Sequence, residues 1–313
     1  MNFNLEALKS VLPSEKKQVL NSLDLEGVAK LIRDGKVKNI ISMVGAGIST
    51  CKAYISGYFY YIAAGIPDFR SPSTGIYDNL EEFGLSDPME ENPKPFFEVA
   101  RRLYRPNALP TLGHYFIRLL HEKGLLKRHY TQNVDNLDRL CGLPEDKLVE
   151  AHGSFNSGHC IICKKEYSFK FMADKIIAKN IPLCIEEGCN GTVKPDIVFF
   201  GESLPRKFHR HTGPDFSSCD LLIIMGTSLT VMPFCGLIHR VGSSVPRLYI
   251  NLSYGDGSTG SGFMAFLMRF YVAGFKQSSL RWGRSDNVRD VYYKSAIDEG
   301  CLQLADLLNW KII

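Results

Sequence analysis

The chain has 313 residues, 45% hydrophobic and 22% charged, with a formal net charge of +4. This is the composition of a globular protein, long enough to bury a sizeable core as one domain, or one domain carrying a smaller insertion. The charge is too small to argue for nucleic-acid binding on electrostatics, and no uncharged apolar run reaches the ~18 residues of a membrane-spanning helix.

Nine cysteines are present, four in two close pairs and five scattered. Without a secretory signal ahead of them, the expectation is metal binding or free thiols in a reducing compartment rather than a disulfide framework. Glu6 and Glu15 come early and the first arginine is Arg33, unlike a mitochondrial presequence. Cytoplasm, nucleus or both is the expected location, with neither a membrane nor nucleic acid as a direct partner.

In chain order, residues 1–35 carry charge and apolar residues at helical spacing. Leu25, Val28, Leu31 and Ile32 form one face that ends near Gly35. Residues 39–44 read as a buried strand that runs straight into Gly45-Ala46-Gly47, the opening of an α/β nucleotide-binding unit. Further buried strands are expected at 129–132, 148–151, 196–200, 221–225 and 247–250, with helical stretches such as 110–123 between them. That alternation predicts an α/β fold with a parallel sheet covered on both faces. Residues 71–108 hold five prolines among aromatics and read as a helical insertion. Residues 153–195 hold the paired cysteines and read as a second insertion. The glycine-rich stretch 255–262 reads as a loop.

Six motifs bear on chemistry. In Gly45-Ala46-Gly47-Ile48-Ser49-Thr50, glycine lets the backbone approach a pyrophosphate, but Thr50 replaces the third glycine of the dinucleotide fingerprint. A tight strand-to-helix turn with no ligand explains it equally well. Cys160-x2-Cys163 and Cys184-x4-Cys189 are separated by twenty residues. Two such pairs supply the four tetrahedral thiolates of a structural zinc, with no position left for water. Gln132-Asn133-Val134-Asp135 and Ala151-His152-Gly153 each follow a strand, where ligands of open α/β sheets bind. His152 suits a general base, although a lone histidine is more often a hydrogen-bonded structural one. Gly226-Thr227-Ser228 and Asn251 also follow strands. Such small polar residues bind ribose and phosphate, and cap helices as readily.

Taken in order, these segments together with Gly65-Ile66-Pro67-Asp68-Phe69-Arg70 and Lys194-Pro195-Asp196-Ile197-Val198-Phe199-Phe200-Gly201-Glu202 resemble the sirtuin family, most closely its nuclear and cytoplasmic class. The resemblance runs from about residue 25 to Trp310. It implies a discontinuous Rossmann-type NAD-binding domain (25–70, 109–152 and 196–313). A small domain would consist of a helical module (71–108) and a zinc module (153–195), with 1–24 as an N-terminal helical extension. It implies NAD as cosubstrate, one structural zinc on Cys160, Cys163, Cys184 and Cys189, and NAD-dependent deacylation of lysine in proteins, histone- or tubulin-like ones among them.

By matching motifs, Ala46, Gly47 and Thr50 would line the cofactor loop, and Asp68, Phe69 and Arg70 would close over it. Gln132, Asn133 and Asp135 would hold the nicotinamide-ribose end. Thr227, Ser228 and Asn251 would hold the diphosphate and adenosine-ribose end, with Cys301 by the adenine. Val198, Phe199, Phe200, Gly201 and Glu202 would pair as a strand with the substrate backbone. His152, Asn133 and Asp135 would form the catalytic group, His152 deprotonating a ribose hydroxyl. The products would be nicotinamide, free lysine and acylated ADP-ribose.

Two departures stand out. Residues 51–63 add about twelve residues, rich in tyrosine, inside the cofactor loop. A tolerated bulge, an inactivating or regulatory insertion and a translated intron are the three readings. We favour the third, and an mRNA encoding 51–63 would refute it. After Asn251, Leu252 and Ser253 replace the more polar residues usual there, and 255–275 lacks a family counterpart. Two rival functions remain: mono-ADP-ribosyl transfer on the same site, and a blocked acyl-lysine binding module.

Overall fold

A computed structural model describes residues 18–50, 92–103, 107–199, 202–253 and 280–312. The first helix, α1 (Leu25–Arg33), starts where Asp24 accepts the Gly27 amide, and residues 18–24 lead into it as bends. Then come β1 (Ile40–Val44), the short α2 (Gly47–Thr50), α3 (Lys94–Leu103), α4 (Leu112–Glu122), β2 (Leu126–Thr131) and α5 (Leu137–Leu140). They are followed by β3 (Leu148–Glu150), β4 (Gly153–Cys160), β5 (Glu166–Ser168), α6 (Phe169–Ile177) and β6 (Val193–Ile197). The chain finishes with α7 (Arg206–Ser217), β7 (Leu221–Met225), β8 (Arg247–Asn251), β9 (Asp290–Lys294) and α8 (Ile297–Leu307).

Six strands form one sheet in the order β3-β2-β1-β7-β8-β9, and every neighbouring pair is parallel. Counted among themselves they run 3-2-1-4-5-6, the doubly wound order, with its switch point between β1 and β7. These two central strands are buried along their whole length, apolar throughout except for Ser42 of β1. The pleat sends Ile40, Val44, Ile223 and Met225 to one face, against Val28, Phe116, Ile117 and Leu304. It sends Ile41, Met43, Leu222 and Ile224 to the other, against Phe208, Phe216, Phe234 and Leu237.

A second sheet, β5-β4-β6, is antiparallel. Its core joins Phe155, Tyr167, Met172 and Val193 to Phe96 and Phe97 of α3. One expectation is corrected here. The apolar run at 196–200 does not enter the parallel sheet: the strand is β6, it ends at Ile197, and it pairs with β4. Phe199, beyond it, packs sideways instead. The Phe199 ring lies 5.0 Å from that of Phe96.

The expected strands at 39–44, 129–132, 148–151, 221–225 and 247–250 correspond to β1, β2, β3, β7 and β8, and the stretch 110–123 to α4. Residues 51–63, Asp68, Phe69, Arg70 and 255–275 lie outside the described residues, as do Phe200 and Gly201.

Candidate active site and zinc centre

The carboxyl ends of β1, β2, β3, β7 and β8 meet at one edge of the parallel sheet. At the switch point the turn after β1 and the turn after β7 touch backbone to backbone. The Gly47 amide donates to Gly226 O at 2.8 Å. A Cβ on Gly47 would stand 2.6 Å from Gly226 Cα, and Gly226 takes φ +61 with Ile48 N 2.5 Å from where its own Cβ would be. Glycine is required at both positions. The result is a narrow backbone-lined cradle of the kind a pyrophosphate fits.

Polar side chains knit this rim together. Thr227 Oγ1 donates to Gln132 Oε1 at 2.7 Å, joining the ends of β7 and β2. Asn133 Nδ2 donates to Gly45 O at 3.2 Å and to Ser49 Oγ at 3.3 Å. Ser49 in turn donates to Asp135 Oδ2 at 2.6 Å, and the Leu137 amide donates to Asp135 Oδ1 at 3.0 Å. Asn251 Nδ2 donates to Tyr249 Oη at 2.7 Å, and that hydroxyl donates to Thr227 O at 2.7 Å. Ser228 Oγ lies 2.9 Å from Thr230 Oγ1. Gln132, Asn133, Asp135, Thr227 and Asn251 are thus brought together with the Ala46-Gly47 turn and Thr50. The Cys301 thiol is fully buried in the core, 3.6 Å from Met225 Sδ.

His152 stands where the chain leaves one sheet for the other. Its Nδ1–H donates to Gln132 O at 3.0 Å, which fixes the tautomer and leaves the Nε2 lone pair free. Burial lowers its pKa below the ordinary histidine range, against a smaller upward pull from the Gln132 carbonyl. The neutral, proton-accepting ring is therefore the form present at neutral pH. Its carbonyl accepts the Val198 amide at 2.9 Å, tying the segment after β6 to the base. Gly153, at φ +74, makes the crossing: a Cβ there would lie 1.8 Å from Asp196 O.

The segment after Val198 is braced by Lys194. Its Nζ donates to Ile197 O at 2.7 Å and to Glu202 Oε2 at 3.1 Å, and lies 4.1 Å from the Phe199 ring centre. Glu202 Oε2 also accepts the Phe199 amide at 2.8 Å.

Beneath the rim runs a buried network that the sequence did not reveal. Ser42 Oγ lies 2.7 Å from His129 Nδ1, and His129 Nε2 lies 2.8 Å from Asp138 Oδ1. Burial works to raise the Asp138 pKa, but His129 prevails and holds it at about 2. Burial and the Asp138 charge push Asp135 up to about 6. His114, Asp135 and Asp138 lie close enough to suggest a metal centre. Hydrogen bonding speaks against it. The Thr111 amide donates to His114 Nδ1 at 3.1 Å, so in the neutral ring Nε2 carries the proton and has no lone pair for a metal.

The four motif cysteines form the zinc centre. Their sulfurs lie within 4.8 Å of one another, with Cys160–Cys189 and Cys163–Cys184 both at 3.5 Å. Four sulfurs ~2.3 Å from one zinc stand ~3.8 Å apart, so the set fits a tetrahedral ion. Gly191 is required beside it, because a Cβ there would lie 2.6 Å from Cys160 Sγ. Tyr167 Oη, 3.0 Å from Cys184 Sγ, also accepts the Ile185 amide at 2.9 Å. That leaves its proton for the sulfur, a brace outside the ligand set.

Sequence order had already brought out the strand-end residues and the cysteines. Roles for Ser49, Tyr249, Lys194 and Tyr167 were missed; Ser49 and Lys194 carried a signal, their places inside the glycine motif and the Lys194–Glu202 motif.

Strand order, glycine cradle and four-thiol insertion define a dinucleotide-binding α/β protein with a structural zinc module. The chain belongs to the Sir2 family, whose model matches residues 45–233. It is 46% identical over 305 residues to NAD-dependent protein deacetylase sirtuin-2 of Danio rerio, covering 94% of this chain and 74% of that one. NAD-dependent deacetylase sir2A of Dictyostelium discoideum is 47% identical over 259 residues, covering 78% and 48% respectively. NAD-dependent protein deacetylase hst2 of Schizosaccharomyces pombe is 46% identical over 243 residues, covering 75% and 69%.

Proposed function

We propose that this chain is an NAD-dependent protein-lysine deacetylase with His152 as its general base. The observation that carries the reading is the placement of His152: tautomer fixed, Nε2 free, at the point where the strand-end crevice meets the small sheet. Over 305 residues the chain is 46% identical to a named NAD-dependent protein deacetylase.

NAD, when bound, supplies the ribose carbon that loses nicotinamide to the acyl oxygen. The chain's own residues do the rest. Gly47 and Gly226 would let backbone amides reach the diphosphate, with Ala46, Thr50, Thr227, Ser228 and Asn251 positioned to hold it, and Cys301 packs behind Met225. Asp68, Phe69 and Arg70 would close over the cofactor, as the family motif implies. Gln132 orients His152 through its carbonyl while its side chain anchors Thr227. Asn133 holds the Gly45 turn, and Asp135 fixes Ser49, on the nicotinamide side. His152 accepts a proton at Nε2 from a ribose hydroxyl, and the Gln132 carbonyl stabilises the resulting imidazolium. Val198 through Glu202 would pair with the substrate backbone as an added strand, Phe199 being braced by Lys194 and Phe96.

The substrate class is acetylated or otherwise acylated lysine in proteins, with histone- and tubulin-like tails the first to assay. The proposed setting is cytoplasm, nucleus or both, which cell fractionation checks. Among the described residues no helix is long and apolar enough to cross a membrane.

Mass spectrometry of an acetyl-lysine peptide incubated with NAD tests the reading. The expected result is one acetyl group lost per nicotinamide released. ADP-ribose appearing on the protein or peptide, with the acetyl group retained, would contradict it.

A further inference from the structure

Between α3 and the zinc module lies an open groove of about 660 Å³. Four cations line it: Lys94 and Arg101 from α3, Lys175 from α6, and Lys179 just beyond. The one acidic residue in the lining, Glu98, is ion-paired with Arg101. Lys94, Lys175 and Lys179 are exposed, and among the described residues none has a carboxylate partner. The groove therefore carries a positive field that its own residues leave uncompensated.

The same concavity is apolar. Phe97 lies fully buried at its floor, while Leu183 and Ile185 at its rim are 49% and 72% exposed. Leu183 and Ile185 lie together at one rim beside lysines with no carboxylate partner among the described residues, an apolar anchor next to positive charge. We propose that this groove docks an acidic peptide segment of a partner protein, its carboxylates on Lys94, Lys175 and Lys179 and an aliphatic residue against Leu183 and Ile185.

The shape and lining favour a peptide over other anions. A single-stranded nucleic acid needs exposed aromatic faces on which bases stack, and the only aromatic ring in the lining, Phe97, is buried. A flat lipid surface cannot enter a concavity. Extended or helical peptides that pair charge at the rim with an apolar anchor inside are the common occupants of such grooves. None of the residues lining the groove is among those placed around His152, so docking here is separable from chemistry there.

The test is fluorescence anisotropy on the zinc-loaded full chain. The probe is a labelled peptide of roughly twelve residues bearing Glu and Asp around two leucines, compared with its Gln/Asn counterpart. The acidic peptide is expected to bind, and to weaken about tenfold as salt rises from about 50 to about 300 mM. Lys94→Glu/Lys175→Glu/Lys179→Glu is expected to lose about tenfold or more in affinity, with zinc content and thermal midpoint unchanged. Should that variant lose zinc or unfold, Lys94→Gln/Lys175→Gln/Lys179→Gln carries the test with the same expected direction. Equal binding of the neutral peptide would overturn the proposal. So would equal affinity in the substituted chain, or tighter binding of an oligothymidine or an anionic vesicle through the same lysines.

Discussion

The parallel sheet and the zinc module solve the same problem in different ways. β1 and β7 are buried on both faces by two thick apolar layers, so the sheet holds its shape through burial. The three-stranded sheet has one small core and β-strands of three, five and eight residues. A body that small needs a staple, and the four thiols supply it. The comparison teaches where each part of the site gets its rigidity. The strand ends proposed to cradle NAD inherit theirs from the core, whereas Val198 and Phe199, which follow β6, depend on that strand and through it on zinc.

The largest expected effect follows from that difference. Removing zinc by chelation, or Cys163→Ser, should unfold the small module and leave the large sheet folded. Structural zinc contributes on the order of 10 kcal/mol in small modules. Hydrogen exchange checks it: amides of β4, β5, β6 and α6 should lose protection while those of β1, β7 and β8 keep it. Equal loss in both sheets would show that the two bodies fold as one.

Next comes the crossing between them. Gly153→Ala places a methyl 1.8 Å from Asp196 O at a left-handed φ, which should cost on the order of 4 kcal/mol in a urea melt. Gly35→Ala is the control, left-handed as well but with nothing within 4 Å. It should cost only about 1 kcal/mol.

A third effect lies under the rim. Burial lowers the His114 pKa to about 4, with Asp138 opposing and His129 assisting. A histidine depressed in the folded state binds its proton more readily when unfolded, so stability is lost as pH falls from about 6.5 to about 4. Relative to His114→Gln, the unsubstituted chain should lose about 3 kcal/mol over that window, measured by urea midpoints at several pH values. A constant difference between the two would place the charge elsewhere.

The smallest effect concerns the zinc brace. Tyr167→Phe removes the hydroxyl beside Cys184 Sγ and should weaken zinc retention about tenfold against a competing chelator, without altering the sheet.

How much of this was legible in the sequence follows from the same contrast. β1, β7 and β8 are largely apolar runs, interrupted only by Ser42 and opened by Arg247, that end in glycine or small polar residues, so both their existence and the site at their ends could be read. β4 could not: Gly153-Ser154-Phe155-Asn156-Ser157-Gly158-His159-Cys160 holds glycine, serine and asparagine with low strand preference, and it forms because β5, β6 and zinc hold it. The run from Asp196 onward looked like a buried strand because it is apolar, but Ile197 closes a ladder with β4 and Phe199 is only half-buried, its ring against Phe96. The network under the rim joins Ser42 to His129 and Ser49 to Asp135 across more than eighty residues, a pairing no local pattern reports.

The central claim is that His152 is the base of an NAD-dependent deacetylase. The direct measurement is nicotinamide release from NAD by the zinc-loaded chain, with and without an acetyl-lysine peptide, beside the His152→Ala variant. The account predicts peptide-dependent release that falls about 10²–10⁴-fold in the variant while its thermal midpoint stays in place. Equal release from the two chains, or no peptide-dependent release from the unsubstituted one, would contradict it.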